Sequence, residues 1–210
     1  MSKMNNKDKI KFVLAVDVET TGLSWVQGDP SQGHQIVSIG LIVADAETFE
    51  PIEEKYVEIK WNEQSKAARR KDPKFGVGAE EVHGLTYEYL ESNGLDEEDA
   101  VVEIAEIIVK YWSTDVTIQL LGHNVGTFDV HFVRNLLHKH ELMFKFASRM
   151  YDSHSLGAGT IGAVNSDQLF EALGFDTREE HNALEDARMS LDAFKIIRKL
   201  WTKKVGMVVQ

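Results

Sequence analysis

Two carboxylates two residues apart, Asp17 and Glu19, end the unbroken apolar run Phe12-Val13-Leu14-Ala15-Val16. Such a run, rich in β-branched residues and stopped by Gly22, reads as a strand buried on both faces. Side chains two apart in a strand share a face, so Asp17 and Glu19 project together. Two carboxylates at a buried strand end are costly unless a cation sits between them, and hard divalent ions such as magnesium or manganese suit oxygen ligands. Taken alone, the pair fits either a cation site or a strand end that frays into a polar turn. Two more polar clusters stand at element ends: Asp129, shortly after an apolar run, and His181 with Asp186 near the start of the last helix. Ligands in an open α/β sheet gather at strand ends, so this placement is that of an active site. Four carboxylates suffice for two octahedral ions that keep some waters. A pair of ions ~3.5–4 Å apart activates a water and stabilises the leaving oxygen in phosphoryl displacement. An imidazole, with a reference pKa near ~6.5, is suited to take the proton of that water.

Each of these groups needs a strand or helix to hold it, and the chain supplies them in order. Residues 1–9 read as a mobile tail, 10–202 as the folded domain and 203–210 as a second tail. Leu23 to Gly33 is a loop rich in turn formers, in which Trp25 either covers the site mouth or packs down. Gln35 to Asp45 and Lys55 to Trp61 complete an antiparallel meander with the first strand. Lys60 to Gly78 reads as a loop whose Lys66, Arg69, Arg70, Lys71 and Lys74 either contact phosphate or are simply solvated. A helical turn at Ala79 to His83 is broken by Gly84, and Thr86 is placed to cap the segment after it. Asp96 to Trp112 is an amphipathic helix, Val116 to Leu121 a fourth strand, and a helix runs on to about His140. Phe146 to Tyr151 is a fifth strand, Ser166 to Leu173 a short helix ended by Gly174. The final helix, about Ala183 to Trp201, presents Leu184, Ala187, Leu191, Phe194, Arg198 and Trp201 along one side. Strands first and strand–helix units after give an α/β domain with a mixed five-stranded sheet flanked by helices.

Composition narrows the class. The chain has 210 residues, enough for one domain with a sizeable core, and no cysteine, which excludes a disulfide scaffold or a thiolate metal site. A polar, lysine-rich start with no long apolar segment after it points to a cytoplasmic protein. The net charge of −11 argues against coating nucleic acid by charge alone, though not against gripping one strand end through bound cations.

Three segments, Asp17-Val18-Glu19-Thr20-Thr21-Gly22, His123-Asn124…Phe128-Asp129 and His181-Asn182-Ala183-Leu184-Glu185-Asp186-Ala187, resemble the motifs of DnaQ-like exonucleases. These are DEDD-type 3′–5′ exonucleases of the histidine subtype, with a ribonuclease H-like fold. The resemblance implies that Asp17, Glu19, Asp129 and Asp186 hold two Mg²⁺ or Mn²⁺ and that His181 is the general base. It also implies substrate contact by Thr20, Thr21, Gly22, Leu23, His83, Asn124 and Phe128; residue chemistry alone leaves His83 facing either substrate or core. Gly33-His34-Gln35-Ile36-Val37, Val82-His83-Gly84-Leu85 and Asp152-Ser153 resemble the proofreading subunit of bacterial replicative DNA polymerase. That favours a single-stranded DNA 3′ end over RNA and implies a DNA polymerase partner, in replication or repair. An exoribonuclease of the same fold, a stand-alone nuclease and a non-catalytic nucleic-acid-binding subunit are the alternatives. Asp152 reads as a helix cap behind the site. One departure stands out: Asn124 to Asp129 is a residue longer than the family's Asn-x-x-Phe-Asp. Gly126 is expected to absorb the extra residue, so the departure bears on Asn124 more than on Asp129.

Overall fold

The computed structural model describes residues 11–23, 34–113, 115–176 and 181–205, with only the helical backbone given for 202–205. Trp25, most of its loop, and both expected tails except the first residues of the second lie outside the described residues. Its elements are β1 (Phe12–Thr20), β2 (Ile36–Asp45), β3 (Pro51–Glu58), α1 (Glu63–Lys71), α2 (Val77–His83), α3 (Tyr87–Asn93), α4 (Glu97–Tyr111), β4 (Thr117–Ile118), β5 (Leu120–Gly122), α5 (Asp129–Lys139), β6 (Lys145–Phe146), β7 (Tyr151–Asp152), α6 (Ser153–Ile161), α7 (Ser166–Ala172) and α8 (Ala183–Val205).

Five strands form one mixed sheet in the order β3-β2-β1-β5-β7, antiparallel across the meander and parallel from β1 to β5 to β7. Alternation along β1 explains the layers on either side. Leu14, Val16 and Val18 enter a core closed by α4 and α5, while Val13 and Ala15 face α8 with Ile42, Ala187 and Leu191. Asp17 and Glu19 continue the second set by period two, so the strand itself aims both carboxylates toward α8.

Helix α8 reaches them because the contact residues are small. Gly40 stands opposite Asp17 in the ladder, and a Cβ there would lie 2.3 Å from the Ala183 carbonyl oxygen. Ala15, Ala183 and Ala187 are fully buried in the same layer. Asn182 caps the helix, its side-chain oxygen accepting from the Leu184 and Glu185 N–H groups at 3.1 and 3.2 Å.

Some expected elements differ. The segment read as a loop from Lys60 to Gly78 holds α1 and the start of α2, because Asn62 supplies an N-cap to Ser65 and Glu63 fills the first turn. Three of its cations are paired: Lys66 with Glu91 at 2.9 Å, Arg69 with Glu80 at 3.4 Å and Arg70 with Glu63 at 3.7 Å. The run from Val116 to Leu121 splits at Gln119, where the chain leaves β6 to pair with β1 and β7. The Gln119 amide bridges the junction by donating to the Arg149 carbonyl at 2.6 Å. The single fifth strand is likewise divided between β6 and β7, and α3 and α6 follow the Thr86 and Asp152 caps. Trp201 is 57 % exposed, since the apolar stripe of α8 runs past the sheet edge; Arg198 instead lays its guanidinium 5.3 Å over Phe49.

Candidate active site

The three motifs meet at one open cleft of about 310 Å³ at the carboxyl ends of β1 and β5, lined by Asp17, Glu19, Asp129, His181 and Asp186 among others. Side-chain ligand atoms of Glu19, His181 and Asp186 lie within 4.8 Å of one another, and His181 Nδ1 is 3.3 Å from Asp186 Oδ2. Helix α5 delivers Asp129 from the other face of the sheet. Its Oδ1 accepts from the Val18 N–H at 3.0 Å, which pins the carboxyl to the strand between Asp17 and Glu19. Asp129 is 2 % and Asp186 5 % exposed. Burial pushes the Asp129 carboxyl up to about 7, opposed by the N–H donors of its own backbone and of Val18, with the Asp152 charge adding to the rise. No lysine or arginine lines this cleft among the described residues. Four carboxylates and an imidazole, with no lysine or arginine beside them among the described residues, form a donor set that fits a divalent cation.

The family is decided by comparison with known proteins. A family model described as exonuclease, of the RNase T type, matches residues 14–194. A 3′–5′ DNA exonuclease of Escherichia coli, Cap18, is 32 % identical over 202 residues, spanning 94 % of this chain and 96 % of its own. The chain belongs to the exonuclease family. Solved structures agree in fold. E. coli exonuclease I with a single-stranded DNA gives a TM-score of 0.67 at 16 % identity, over 92 % of this chain. A moderately thermophilic exonuclease I from Methylocaldum szegediense gives 0.64 at 19 % identity over 90 %. This exonuclease-family chain spans about two fifths of those longer proteins, 42 % and 41 % respectively. Among the described residues, no helix is long and apolar enough to cross a membrane.

Of the residues expected to touch substrate, Leu23, Asn124 and Phe128 line the cleft of this exonuclease-family enzyme, and Leu23 is 85 % exposed. Thr20, Thr21, Gly22 and His83 are not among the residues that line it. The Thr20 hydroxyl donates to the Gly22 carbonyl at 2.8 Å and tightens the turn that carries Leu23. His83 is buried; its Nδ1 accepts from the Leu85 N–H at 3.0 Å, and no acceptor meets its Nε2 in good geometry. Burial lowers its pKa to about 4, against a raising contact with the Thr20 backbone, and nearby His181 lowers it further. The His181 N–H donates to the Val82 carbonyl at 3.2 Å, so the end of α2 holds the backbone of His181.

The long Asn124–Asp129 segment is accommodated differently from expectation. Asn124, not Gly126, takes the left-handed conformation, with φ 59°. Asparagine tolerates that region better than most residues. The carbonyl of Asn124 accepts from Thr127, its side-chain oxygen accepts from the Thr127 hydroxyl at 2.6 Å, and its N–H donates to Asp152 at 2.8 Å. Asp152 also caps α6 through the N–H groups of His154 and Ser155, as its sequence context suggested. Phe128 and Asp129 therefore keep their place while Asn124 is occupied within the chain.

The sequence reading missed His123, Ser166, Phe170 and Ser190 as lining residues. Ser190 was findable, since it lies one helical turn after Asp186 on the same face. Ser166 and Phe170 come from α7, whose position depends on packing against α6 and α8.

Gly40→Ala tests how closely α8 must approach. Overpacking there should cost about 1–3 kcal/mol and push the start of α8 from the sheet. The magnesium concentration for half-maximal hydrolysis should then rise severalfold; an unchanged midpoint would show that Asp186 had not moved.

Proposed function

We propose that the chain is a DEDD-type exonuclease of the histidine subtype that removes nucleoside 5′-monophosphates from the 3′ end of single-stranded DNA. The observation that carries this reading is the convergence of Asp17, Glu19, Asp129, Asp186 and His181 on one cleft lined by no lysine or arginine among the described residues. The activity named for the E. coli relative, which this chain matches over 96 % of that relative's length, supports the direction and the polymer.

Asp17, Glu19, Asp129 and Asp186 would hold two magnesium or manganese ions. When bound, such ions make a water acidic and neutralise charge building on the phosphoryl oxygens and the leaving 3′-oxygen. His181 turns Nδ1 toward Asp186, which leaves Nε2 as the nitrogen that takes the proton of the attacking water. Asp186 thereby orients the imidazole as well as binding metal. The Thr20–Leu23 turn receives the terminal nucleotide, with the exposed Leu23 side chain as its apolar contact. Phe128, at the start of α5, offers a ring to the strand on the other side of the cleft.

The test uses 5′-labelled DNA and RNA oligonucleotides with magnesium, manganese or chelator. A ladder shortening from the 3′ end of DNA is expected, lost with chelator and with Asp17→Ala. Internal cuts or shortening from the 5′ end would overturn the reading, and faster loss of RNA would reassign the polymer.

A further inference from the structure

His34 lies beneath the turn that enters the cleft, where no motif assigns it a role. A Cβ on Gly22 would fall 2.3 Å from His34 Cε1 and 2.5 Å from Nδ1, so the glycine backbone rests directly on the imidazole. His34 Nδ1 is 3.2 Å from the Thr21 hydroxyl. That hydroxyl also accepts from the Gln35 N–H at 3.0 Å, and the Thr21 N–H donates to the Gln35 carbonyl at 3.0 Å. The other face of the ring is equally committed. It stacks on Phe75 with centroids 4.6 Å apart and planes 10° from parallel.

The stack does not end at Phe75. Phe75 meets Trp61 edge-on at 5.9 Å, and Trp61 meets Tyr87 edge-on at 5.2 Å. Arg69 spreads its guanidinium 5.4 Å over Trp61, donates to the Phe75 carbonyl and pairs with Glu80. Glu80 in turn accepts from the Tyr87 N–H at 3.1 Å. Gly76, at φ 82°, lets Trp61 close in, since a Cβ there would lie 2.5 Å from the indole. The basic segment thus contributes Arg69 to a rigid aromatic column that ends on His34.

We propose that His34 is the positioning residue of the Thr20–Leu23 turn, fixing the surface on which the 3′-terminal nucleotide rests. The inference rests on the exonuclease reading above and names a residue of that site which the motifs leave out. The ring does two jobs. Its flat face transmits the column to Gly22, and its Nδ1 locks the Thr21 side chain whose backbone forms the turn. Burial lowers its pKa, against a raising contact with the Thr21 backbone, which favours the uncharged ring in the stack. Rigid support of this kind matters because a shift of about 1 Å in a substrate-positioning group costs up to about a hundredfold in rate.

The experiment compares wild type with His34→Ala, His34→Phe and Gly22→Ala on two substrates, a single-stranded DNA oligonucleotide and bis(4-nitrophenyl) phosphate. The small diester carries no nucleotide and makes no use of the turn. With His34→Ala, KM for the oligonucleotide is expected to rise about tenfold or more. The loss in kcat/KM should be at least tenfold greater on DNA than on the small diester. His34→Phe, which keeps the stack, should recover part of the oligonucleotide KM, and Gly22→Ala should reproduce the loss by pushing the turn off the ring. Equal losses on both substrates would mean that His34 serves the fold alone and would overturn the proposal. Unchanged kinetics in His34→Ala would overturn it as well. A wild-type protein without 3′–5′ hydrolysis would remove the exonuclease reading and this proposal together, a result distinct from failure of the variants.

Discussion

Asp129→Asn is expected to cut hydrolysis by roughly 10³-fold and, in metal-free protein above pH 7, to raise the melting temperature. The two effects share one cause. The Asp129 carboxyl is buried, its pKa is raised from 3.8 to about 7, and no lysine or arginine lines the cleft beside it among the described residues. The unfolded chain gives up that proton above 3.8, whereas the folded chain retains it until about 7. Folding is therefore unpenalised below 3.8, loses stability as pH rises between the two values, and carries a constant penalty above 7. The slope in that window is at most about 1.4 kcal/mol per pH unit. Asparagine carries no charge at any of these pH values and still offers an oxygen to the Val18 N–H. The variant should exceed wild type by several degrees at pH 8, since ~1 kcal/mol is worth about 2–4 °C in a chain of this size, and the gain should vanish near pH 4. Magnesium should reverse the order, because only wild type gains from binding it. Activity should fall by roughly 10³-fold, the scale seen when one preorganised electrostatic group is removed. Thermal melts at pH 4, 6 and 8, with and without magnesium, check the whole pattern. Equal melting temperatures at pH 8 would show that Asp129 is ionised at no cost, contrary to its burial.

His181→Ala is the second large effect. Hydrolysis should slow by about 10²-fold or more, the usual contribution of a general base. The magnesium midpoint should move by less than about threefold, because four carboxylates remain to hold the ions. The test matters because the same geometry permits another role. The imidazole sits with Glu19 and Asp186, all three ligand atoms within 4.8 Å, close enough to bind a metal directly. Titrating magnesium against activity separates the two: a tenfold rise in the midpoint would make His181 a ligand and leave the base unassigned.

The sequence alone determined the strand that ends in Asp17 and Glu19, because period-two alternation and a terminal glycine need only local spacing. It determined the meander, the Thr86 and Asp152 caps, and the last helix, each written in a few neighbouring residues. It also singled out Asp17, Glu19, Asp129, His181 and Asp186, which the structure brings to one cleft. Tertiary structure decided the rest. Whether VTIQLL is one strand or two depends on Arg149, thirty residues away, whose carbonyl takes the Gln119 amide. The basic run from Lys66 to Lys74 fits either a phosphate contact or a solvated loop by sequence, and only the fold shows that Lys66, Arg69 and Arg70 pair with Glu91, Glu80 and Glu63. His83 and His34 show the same limit from opposite sides. One imidazole went to the interior and the other to the underside of a turn, and neighbours that hold them, Thr20 for His83 and Phe75 for His34, come from other parts of the chain. Local sequence sets what a side chain can do, but burial and partnership are long-range quantities that only the assembled sheet and helices fix.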